Sequence, residues 1–229
     1  MLKRPITDIF FDLDHTLWDF ERNSALTYEN LFRTFDLPLS LPDFLSHYVP
    51  LNLQFWKQYR EGRIDREELR YQRLRQVFDR MGYRISDESI HQLAEAYLNQ
   101  LSTHTHLLPY TLEILEYLKG RYRLHIITNG FEEVQSRKLR NSKIDGYFLE
   151  VVNSDRAGVK KPHPHIFNLA IEAAGIRPEA GVMIGDSLEA DIQGARSVGL
   201  QALHFNVHGE QQHEYCPIIY DLREIKTYL

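Results

Sequence analysis

Short, nearly continuous apolar runs alternate with longer amphipathic segments over most of this chain. The apolar runs predict β-strands at 6–13, 123–128, 148–153, 181–185, 201–205 and 218–220. Segments with helical spacing separate the later runs and predict helices at 110–119, 131–141, 165–174 and 188–198. Such apolar runs are typical of parallel strands that are covered on both faces. The alternation therefore predicts an α/β fold with a Rossmann-like, doubly wound parallel sheet.

The alternation is interrupted once, after the first predicted strand. The segment 18–106 has little strand character. Its spacing of apolar residues predicts helices at 25–35, 43–60, 66–81 and 86–101. Asp65 and Ser86 are typical N-cap residues for the last two. We therefore expect an α/β core formed by 1–17 and 107–229, with 18–106 as an inserted helical cap domain. Ligands in open α/β sheets bind outside the carboxyl ends of the strands. The insert is connected to the core at those ends, which favours a cap over a helical insert without function.

Composition and charge limit the classes of protein to which the chain can belong. With 229 residues, 43% of them hydrophobic and 26% charged, the chain is long enough for a sizeable core and does not have the composition of a disordered protein. Its net charge of −5, without a basic stripe, argues against a nucleic-acid polymer as partner. The single cysteine, Cys216, fits a reducing compartment. No long apolar stretch suggests a signal peptide or membrane span, so we expect a cytoplasmic protein.

Two acidic residues follow the first apolar run. Asp12 and Asp14 lie two residues apart, directly after Ile9-Phe10-Phe11. In a continuing strand both side chains would point to the same face. Two carboxylates so close repel each other unless one is protonated or a cation lies between them. Magnesium would fit, because it takes oxygen ligands and is a common partner of phosphates. A buried structural pair is the alternative, and the cost of burying unpaired carboxylates argues against it.

A third and a fourth acid occur near the end of the strand predicted at 181–185. Asp186 follows Gly185 directly, and Asp191 lies five residues further on. Asp186 is placed to add a carboxylate to the metal site of the first pair. Asp191 would lie about one turn into the next helix, where it could orient a neighbour of the metal.

An anion cradle and a lysine complete the set of candidate residues. Thr128-Asn129-Gly130 ends the strand predicted at 123–128 and offers a hydroxyl and backbone N–H groups to an anion. Lys161, before Pro162, could neutralise a phosphate or a carboxylate, with Lys160 as the alternative. Alone, the first motif is also an ordinary turn and a lysine is usually a surface residue. Their shared position after strand ends predicts a single phosphate and metal site.

Taken in chain order, these residues resemble the four motifs of the haloacid dehalogenase superfamily of hydrolases. The matching positions are Asp12-Leu13-Asp14-His15-Thr16, Thr128, Lys161-Pro162, and Gly185-Asp186 with Asp191. The resemblance covers the whole chain, and an insert between the first two motifs resembles the helical cap of C1-type members. The stretches 11–20, 127–131 and 183–189 further resemble a pyrimidine 5′-nucleotidase subgroup. His15 stands where many relatives have glycine.

The resemblance implies a magnesium-dependent phosphomonoesterase that forms an aspartyl-phosphate intermediate. It implies that Asp12 is the nucleophile and Asp14 the general acid and base. The implied ligands of Mg²⁺ are the side chains of Asp12 and Asp186 and the backbone carbonyl of Asp14. The implied phosphate-binding groups are Thr128, the Asn129 amide and Lys161. Asp191 would support the metal or Lys161.

Several alternatives remain open at this stage. Dehalogenases of the superfamily usually lack the second acid, so Asp14 argues against them, whereas phosphomutases retain both acids. We expect a small phosphate ester as substrate, with nucleoside 5′-monophosphates ahead of sugar phosphates and phosphoglycolate. A non-catalytic binding module is disfavoured, because loss of activity normally removes one of the acids, whereas Asp12, Asp14 and Asp186 are all present. Whether the protein is a monomer or a homodimer is left open.

Three groups of histidines are interpreted as residues of loops or of the surface. They are two His-x-His pairs, His104/His106 and His163/His165, and a C-terminal group of His204, His208 and His213. None of these groups has a further cysteine or histidine at a spacing typical of a metal site.

Overall fold

A computed structural model describes residue 2 and residues 5–229 of the protein. The chain forms two compact units. One consists of the residues up to Phe20 together with Thr105–Leu229, and the other of Glu21–His104. The inserted unit thus begins and ends a few residues inside the predicted 18–106. Its role as a cap stays a prediction.

The first unit is built on a six-stranded, fully parallel sheet. The strands are β1 (Asp8–Phe11), β2 (Arg123–Thr128), β3 (Phe148–Asn153), β4 (Gly181–Gly185), β5 (Gln201–Phe205) and β6 (Ile218–Ile219). They are ordered β3-β2-β1-β4-β5-β6, with parallel pairing throughout. The predicted doubly wound α/β fold is confirmed. The order reverses between β1 and β4, and ligands of such sheets bind in the crevice outside this switch point.

The first strand is shorter than the predicted 6–13. Its ladder ends at Phe11, although the Asp12 N–H still donates to the carbonyl of Ile184 in β4 at 2.9 Å. The carbonyl of Leu13 then accepts from the N–H groups of Leu17 and Trp18, at 3.0 and 2.8 Å. This tight turn replaces the end of the predicted strand.

The inserted unit consists of helices, as predicted. They are α1 (Phe20–Thr34), which begins one residue before the unit, α2 (Leu41–Arg60), α3 (Arg66–Arg80) and α4 (Asp87–Leu101). Asp65 caps α3 through a reciprocal capping box with Glu68, and Ser86 caps α4 through the N–H of Ser89. Both predicted N-caps are therefore confirmed.

Aromatic side chains and one buried arginine form the core of the inserted unit. Arg73 is 3% exposed, and its guanidinium lies 5.2 Å from the ring centre of Tyr97 and 5.9 Å from that of Tyr48. It donates to Asn52 Oδ1 at 2.9 Å. The ring faces and the amide oxygen stabilise this buried cation.

The remaining helices belong to the first unit. They are α5 (Thr111–Leu118), α6 (Glu132–Asn141), α7 (Ser154–Ala157), α8 (Pro164–Ala174) and α9 (Gly194–Ser197). Short 3₁₀ segments occur at Asp145–Tyr147, Pro178–Ala180 and Leu222–Thr227. One sheet face packs Phe10, Ile127 and Met183 in a cluster with residues of α8. In the described part of the chain, no helix is both long and apolar enough to cross a membrane.

The helix predicted at 188–198 is present, but its first half is not α-helical. Leu188–Gln193 forms a π-helix, and only then does α9 begin. The carbonyl of Ser187 accepts from the N–H groups of both Asp191 and Ile192, at 2.9 and 3.2 Å. Such widened turns occur frequently at functional sites. This one carries Asp191, one of the predicted site residues.

Candidate active site

A buried lysine lies between two of the predicted acids. Lys161 Nζ is 2.5 Å from Asp12 Oδ1 and 2.7 Å from Asp191 Oδ1, and it donates to the Ile127 carbonyl at 2.6 Å. Lys161 is 2% exposed and Asp12 is 7% exposed. Because Lys161 donates hydrogen bonds to Asp12 and the Ile127 carbonyl and forms an ion pair with Asp191, the ammonium is held in one position.

Three carboxylates meet at the edge where β1 and β4 end. One oxygen atom from each of Asp12, Asp186 and Asp191 lies within 4.8 Å of the others. Asp191 is oriented by its second oxygen, which accepts from the Ser187 N–H at 3.0 Å. Gly185 leaves room for it, because a Cβ there would clash with the Asp191 carboxylate. The structure therefore brings together acids that are far apart in sequence.

The electrostatics of this cluster show an excess of negative charge. Burial raises the pKa of Asp12 well above its usual range, Asp191 and Asp186 raise it further, and Lys161 opposes them. Burial also raises the pKa of Asp191. Burial alone would lower the pKa of Lys161, but the two carboxylates in contact with it raise that pKa instead. One ammonium thus faces three carboxylates.

This arrangement fits a divalent cation. The available donors are carboxylate oxygens, which suit hard cations such as Mg²⁺, Ca²⁺ or Mn²⁺ better than thiolate-preferring metals. A divalent charge would offset the excess negative charge that Lys161 leaves uncompensated. The residues that could hold it are Asp12, Asp186 and Asp191.

The predicted anion cradle lies at the carboxyl end of β2. Thr128 Oγ1 accepts from the Gly130 N–H at 3.2 Å and from Gln135 Nε2 at 2.7 Å. The side chain of Asn129 exchanges two hydrogen bonds with the backbone of Lys161, at 2.7 and 3.0 Å. Asn129 therefore ties the cradle to the loop that carries the lysine, leaving its backbone amide as the group predicted to bind phosphate.

Of the two neighbouring lysines, Lys161 is the one among the carboxylates. Lys160 is half-buried, and its pKa is lowered by burial with Asp155 as the opposing charge. The carboxylate of Asp14 is not one of the three that cluster. Both of its oxygens accept hydrogen bonds from residues of α6.

These two α6 residues were missed by the sequence analysis. Lys138 Nζ lies 2.5 Å from Asp14 Oδ1, and Gln135 Nε2 donates to Asp14 Oδ2 at 2.9 Å. Burial lowers the pKa of Lys138, and Asp14 opposes that shift. Their i, i+3 spacing places them on the same side of α6, together with Val134, but spacing alone does not show that a lysine there is buried.

The interpretation of the C-terminal histidines as surface or loop residues is wrong for His204, whereas His208 is exposed and lies in a turn after β5, as predicted. His204 is fully buried in β5 and its Nε2 donates to the backbone carbonyl of Asp186 at 2.9 Å. His208 Nε2 lies 3.0 Å from Asp186 Oδ2. Burial alone would raise the pKa of Asp186, but the hydrogen bond from His208 and the charge of His15 lower it. His213 contacts His204 Nδ1 at 2.9 Å.

Comparison with known proteins agrees with this architecture. A family model described as haloacid dehalogenase-like hydrolase matches residues 8–199. The pyrimidine 5′-nucleotidase YjjG of Escherichia coli (strain K12) is 31% identical over 207 residues, which cover 90% of this chain and 88% of that protein. The glyceraldehyde 3-phosphate phosphatase of Pyrococcus furiosus is 32% identical over 203 residues, covering 88% and 81%.

A solved structure extends the similarity to the whole fold. The HAD-hydrolase YfnB of Bacillus subtilis, in a magnesium-bound crystal structure, matches with a TM-score of 0.87 and 27% identity. The match covers 98% of this chain and 99% of that chain. The resemblance inferred from the four motifs is thereby confirmed, and the chain belongs to the haloacid dehalogenase-like hydrolase family.

Proposed function

We propose that the protein is a magnesium-dependent phosphomonoesterase that acts through Asp12. The observation that carries this proposal is the contact of Asp12 with Lys161 inside a cluster of three carboxylates. A carboxylate held beside a fixed ammonium is oriented for attack on phosphorus. The neighbouring hydroxyl of Thr128 offers a hydrogen bond to a phosphoryl oxygen.

The proposed reaction has two steps. In the first, a carboxylate oxygen of Asp12 forms a bond to phosphorus while the ester P–O bond breaks, and Asp14 gives its proton to the departing oxygen. In the second, a water molecule attacks the phosphorus of the aspartyl-phosphate and Asp14 takes up a proton from it. The bond to Asp12 breaks, inorganic phosphate leaves, and both carboxyl groups return to their starting states.

The phosphoryl oxygens would be bound by Thr128, the backbone amide of Asn129 and Lys161. A magnesium ion would be held by Asp12, Asp186 and the backbone carbonyl of Asp14. Bound there, it would shield the attacking carboxylate from the charge of the phosphate ester. Asp191 is assigned to the support of Lys161, since its two oxygens already contact Lys161 and the Ser187 N–H.

The presence of Asp14 favours phosphate esters over haloacids. A halide leaves without a proton, whereas an alkoxide needs one, so a second acid is useful for ester cleavage alone. In this chain Asp14 is held by two side-chain donors, so it is a built part of the site rather than a surface acid.

Nucleoside 5′-monophosphates are the substrate class that we propose first. Similarity to YjjG over 90% of the chain supports it, as do the motif stretches that resemble pyrimidine 5′-nucleotidases. Sugar phosphates are the second candidate, favoured by the similarity to the Pyrococcus phosphatase. We assign substrate choice to the inserted helical unit, acting as a cap.

A panel of phosphate esters tests both parts of the proposal. With Mg²⁺, we expect release of inorganic phosphate, with UMP, dUMP and dTMP cleaved more efficiently than purine nucleotides, glyceraldehyde 3-phosphate or phosphoglycolate. A preference for the last two would replace the nucleotidase assignment. Isomerised phosphate esters without free phosphate would indicate a mutase. No reaction with any ester, p-nitrophenyl phosphate included, in a folded sample would overturn the enzyme assignment.

Gly185→Ala tests the placement of Asp191 without removing any functional group. The added methyl group would displace the Asp191 carboxylate, and we expect kcat/KM for p-nitrophenyl phosphate to fall about 100-fold, as small displacements in active sites can cause. Gly146→Ala is the matched control, because a Cβ at that position meets no atom within 4 Å. Equal activity of the two variants would contradict the proposed support of Lys161 by Asp191.

A further inference from the structure

One face of α6 presents two buried polar side chains to Asp14. Gln135 and Lys138 are 1% and 2% exposed, and each contacts a different oxygen of the Asp14 carboxylate. The two distances are 2.9 Å for Gln135 and 2.5 Å for Lys138. The carboxylate therefore has one favoured orientation, because rotating it would break both contacts.

Gln135 also contacts the anion cradle. Its Nε2 has two hydrogens, one directed to Asp14 Oδ2 and the other to Thr128 Oγ1 at 2.7 Å. The Gly130 N–H donates to the same hydroxyl oxygen. Since Thr128 Oγ1 already accepts two hydrogen bonds, its own proton is available to a ligand oxygen. A single amide thus fixes both a phosphate-binding hydroxyl and Asp14.

The orientation of this amide follows from its partners. Turning it over would remove the hydrogen bonds from Nε2 to Asp14 Oδ2 and Thr128 Oγ1 and would bring the acceptor Oε1 against both oxygens. In the observed orientation Oε1 is buried without a hydrogen-bond partner. An unsatisfied buried acceptor costs about 1–3 kcal/mol. A residue selected for packing alone would avoid that cost, so the position serves the contacts that Nε2 makes.

Lys138 is fixed by its surroundings as well. Its ammonium lies 4.3 Å from the ring centre of Trp18, whose Nε1 donates to Ser142 Oγ at 3.2 Å, just beyond α6. The electron-rich ring face favours a cation at this position. Gly130 in turn leaves room for Gln135, because a Cβ at Gly130 would clash with the Gln135 side chain.

We propose that Gln135 and Lys138 are positioning residues, which hold the Asp14 carboxylate where it exchanges a proton with the leaving group and align it with the phosphate-binding hydroxyl of Thr128. This inference rests on the proposed function. The inference goes beyond the proposed function because it assigns the orientation of the general acid Asp14 to residues on one face of α6.

Leaving groups of different basicity separate positioning from a structural role. Phenyl phosphate releases a basic phenolate that benefits from a proton, whereas 2,4-dinitrophenyl phosphate releases a weakly basic anion that does not. The value of kcat/KM reports the steps up to the release of this group. The variants are Gln135→Met and Lys138→Met, with Arg140→Met as the control on the exposed face of α6.

For both variants we expect kcat/KM for phenyl phosphate to fall about 100-fold, the scale of a misplaced catalytic group. For the dinitrophenyl ester we expect a loss below about fivefold, since proton transfer contributes little there. Arg140→Met should match the wild type with both esters. Gln135→Met should stay folded, because it removes an unsatisfied oxygen and because the Thr128 hydroxyl and the Asp14 carboxylate each keep another donor. It therefore remains informative if Lys138→Met folds poorly.

Equal losses with the two esters, or no loss, would overturn the inference. If the wild type cleaves both esters and Asp12→Asn cleaves neither, such a result leaves the proposed function standing. If the wild type itself cleaves neither ester, the proposed function fails and the inference fails with it.

Discussion

Asp12→Asn is expected to lower kcat/KM for phosphate esters by at least about 10³-fold, as the loss of a nucleophile does in other hydrolases. The amide cannot form the bond to phosphorus. The variant should stay folded, because Lys161 keeps its contacts with Asp191 and the Ile127 carbonyl. Its stability should not fall, since one of three crowded carboxylates is neutralised. Steady-state assays with Mg²⁺ and thermal unfolding measure the two effects.

The control for this substitution is Asp145→Asn, which changes an exposed acid in the 3₁₀ segment Asp145–Tyr147. It should retain wild-type activity. Substantial magnesium-dependent turnover by folded Asp12→Asn would contradict the role of Asp12 as nucleophile.

Lys161→Met is expected to reduce both activity and stability. It removes the ammonium that contacts Asp12 and Asp191, and breaking a buried ion pair from one side destabilises a protein by about 3–5 kcal/mol. We also expect Mg²⁺ to raise the unfolding temperature of the variant more than that of the wild type, because the carboxylates then depend on the metal for a counter-charge. Thermal unfolding with and without Mg²⁺ measures this difference.

Lys160→Met provides the comparison, since this neighbour lies outside the carboxylate cluster. Its activity should stay within about twofold of the wild type, as for most substitutions away from a functional site. Loss of activity in Lys160→Met with retention in Lys161→Met would reverse the assignment of the functional lysine.

The sheet and the location of the site were predictable because they depend on simple patterns. Strands at 123–128, 148–153, 181–185 and 201–205 agree with the structure, since buried parallel strands are nearly continuous apolar runs. Residues that directly follow such runs meet at one sheet edge. This reasoning brought Asp12 and Asp186 together from sequence positions far apart.

The polar residues that complete the site were not predictable in the same way. Lys138 lies on a helix, and its spacing alone does not say that its ammonium is buried against Trp18 and Asp14. The contact of His208 with Asp186 depends on the path of the chain after β5. The π-helix at Leu188–Gln193 is also hidden, because a single widened turn leaves the apolar spacing close to that of an α-helix.

The most direct test of the account is to trap the covalent intermediate on Asp12. Wild-type protein is mixed with p-nitrophenyl phosphate and Mg²⁺, quenched during turnover, reduced with borohydride, and analysed by peptide mass spectrometry. We predict reduction of an acyl phosphate to homoserine at position 12, absent without substrate and absent in Asp12→Asn. Turnover with no acyl phosphate at that position, or with the modification at another residue, would contradict the account.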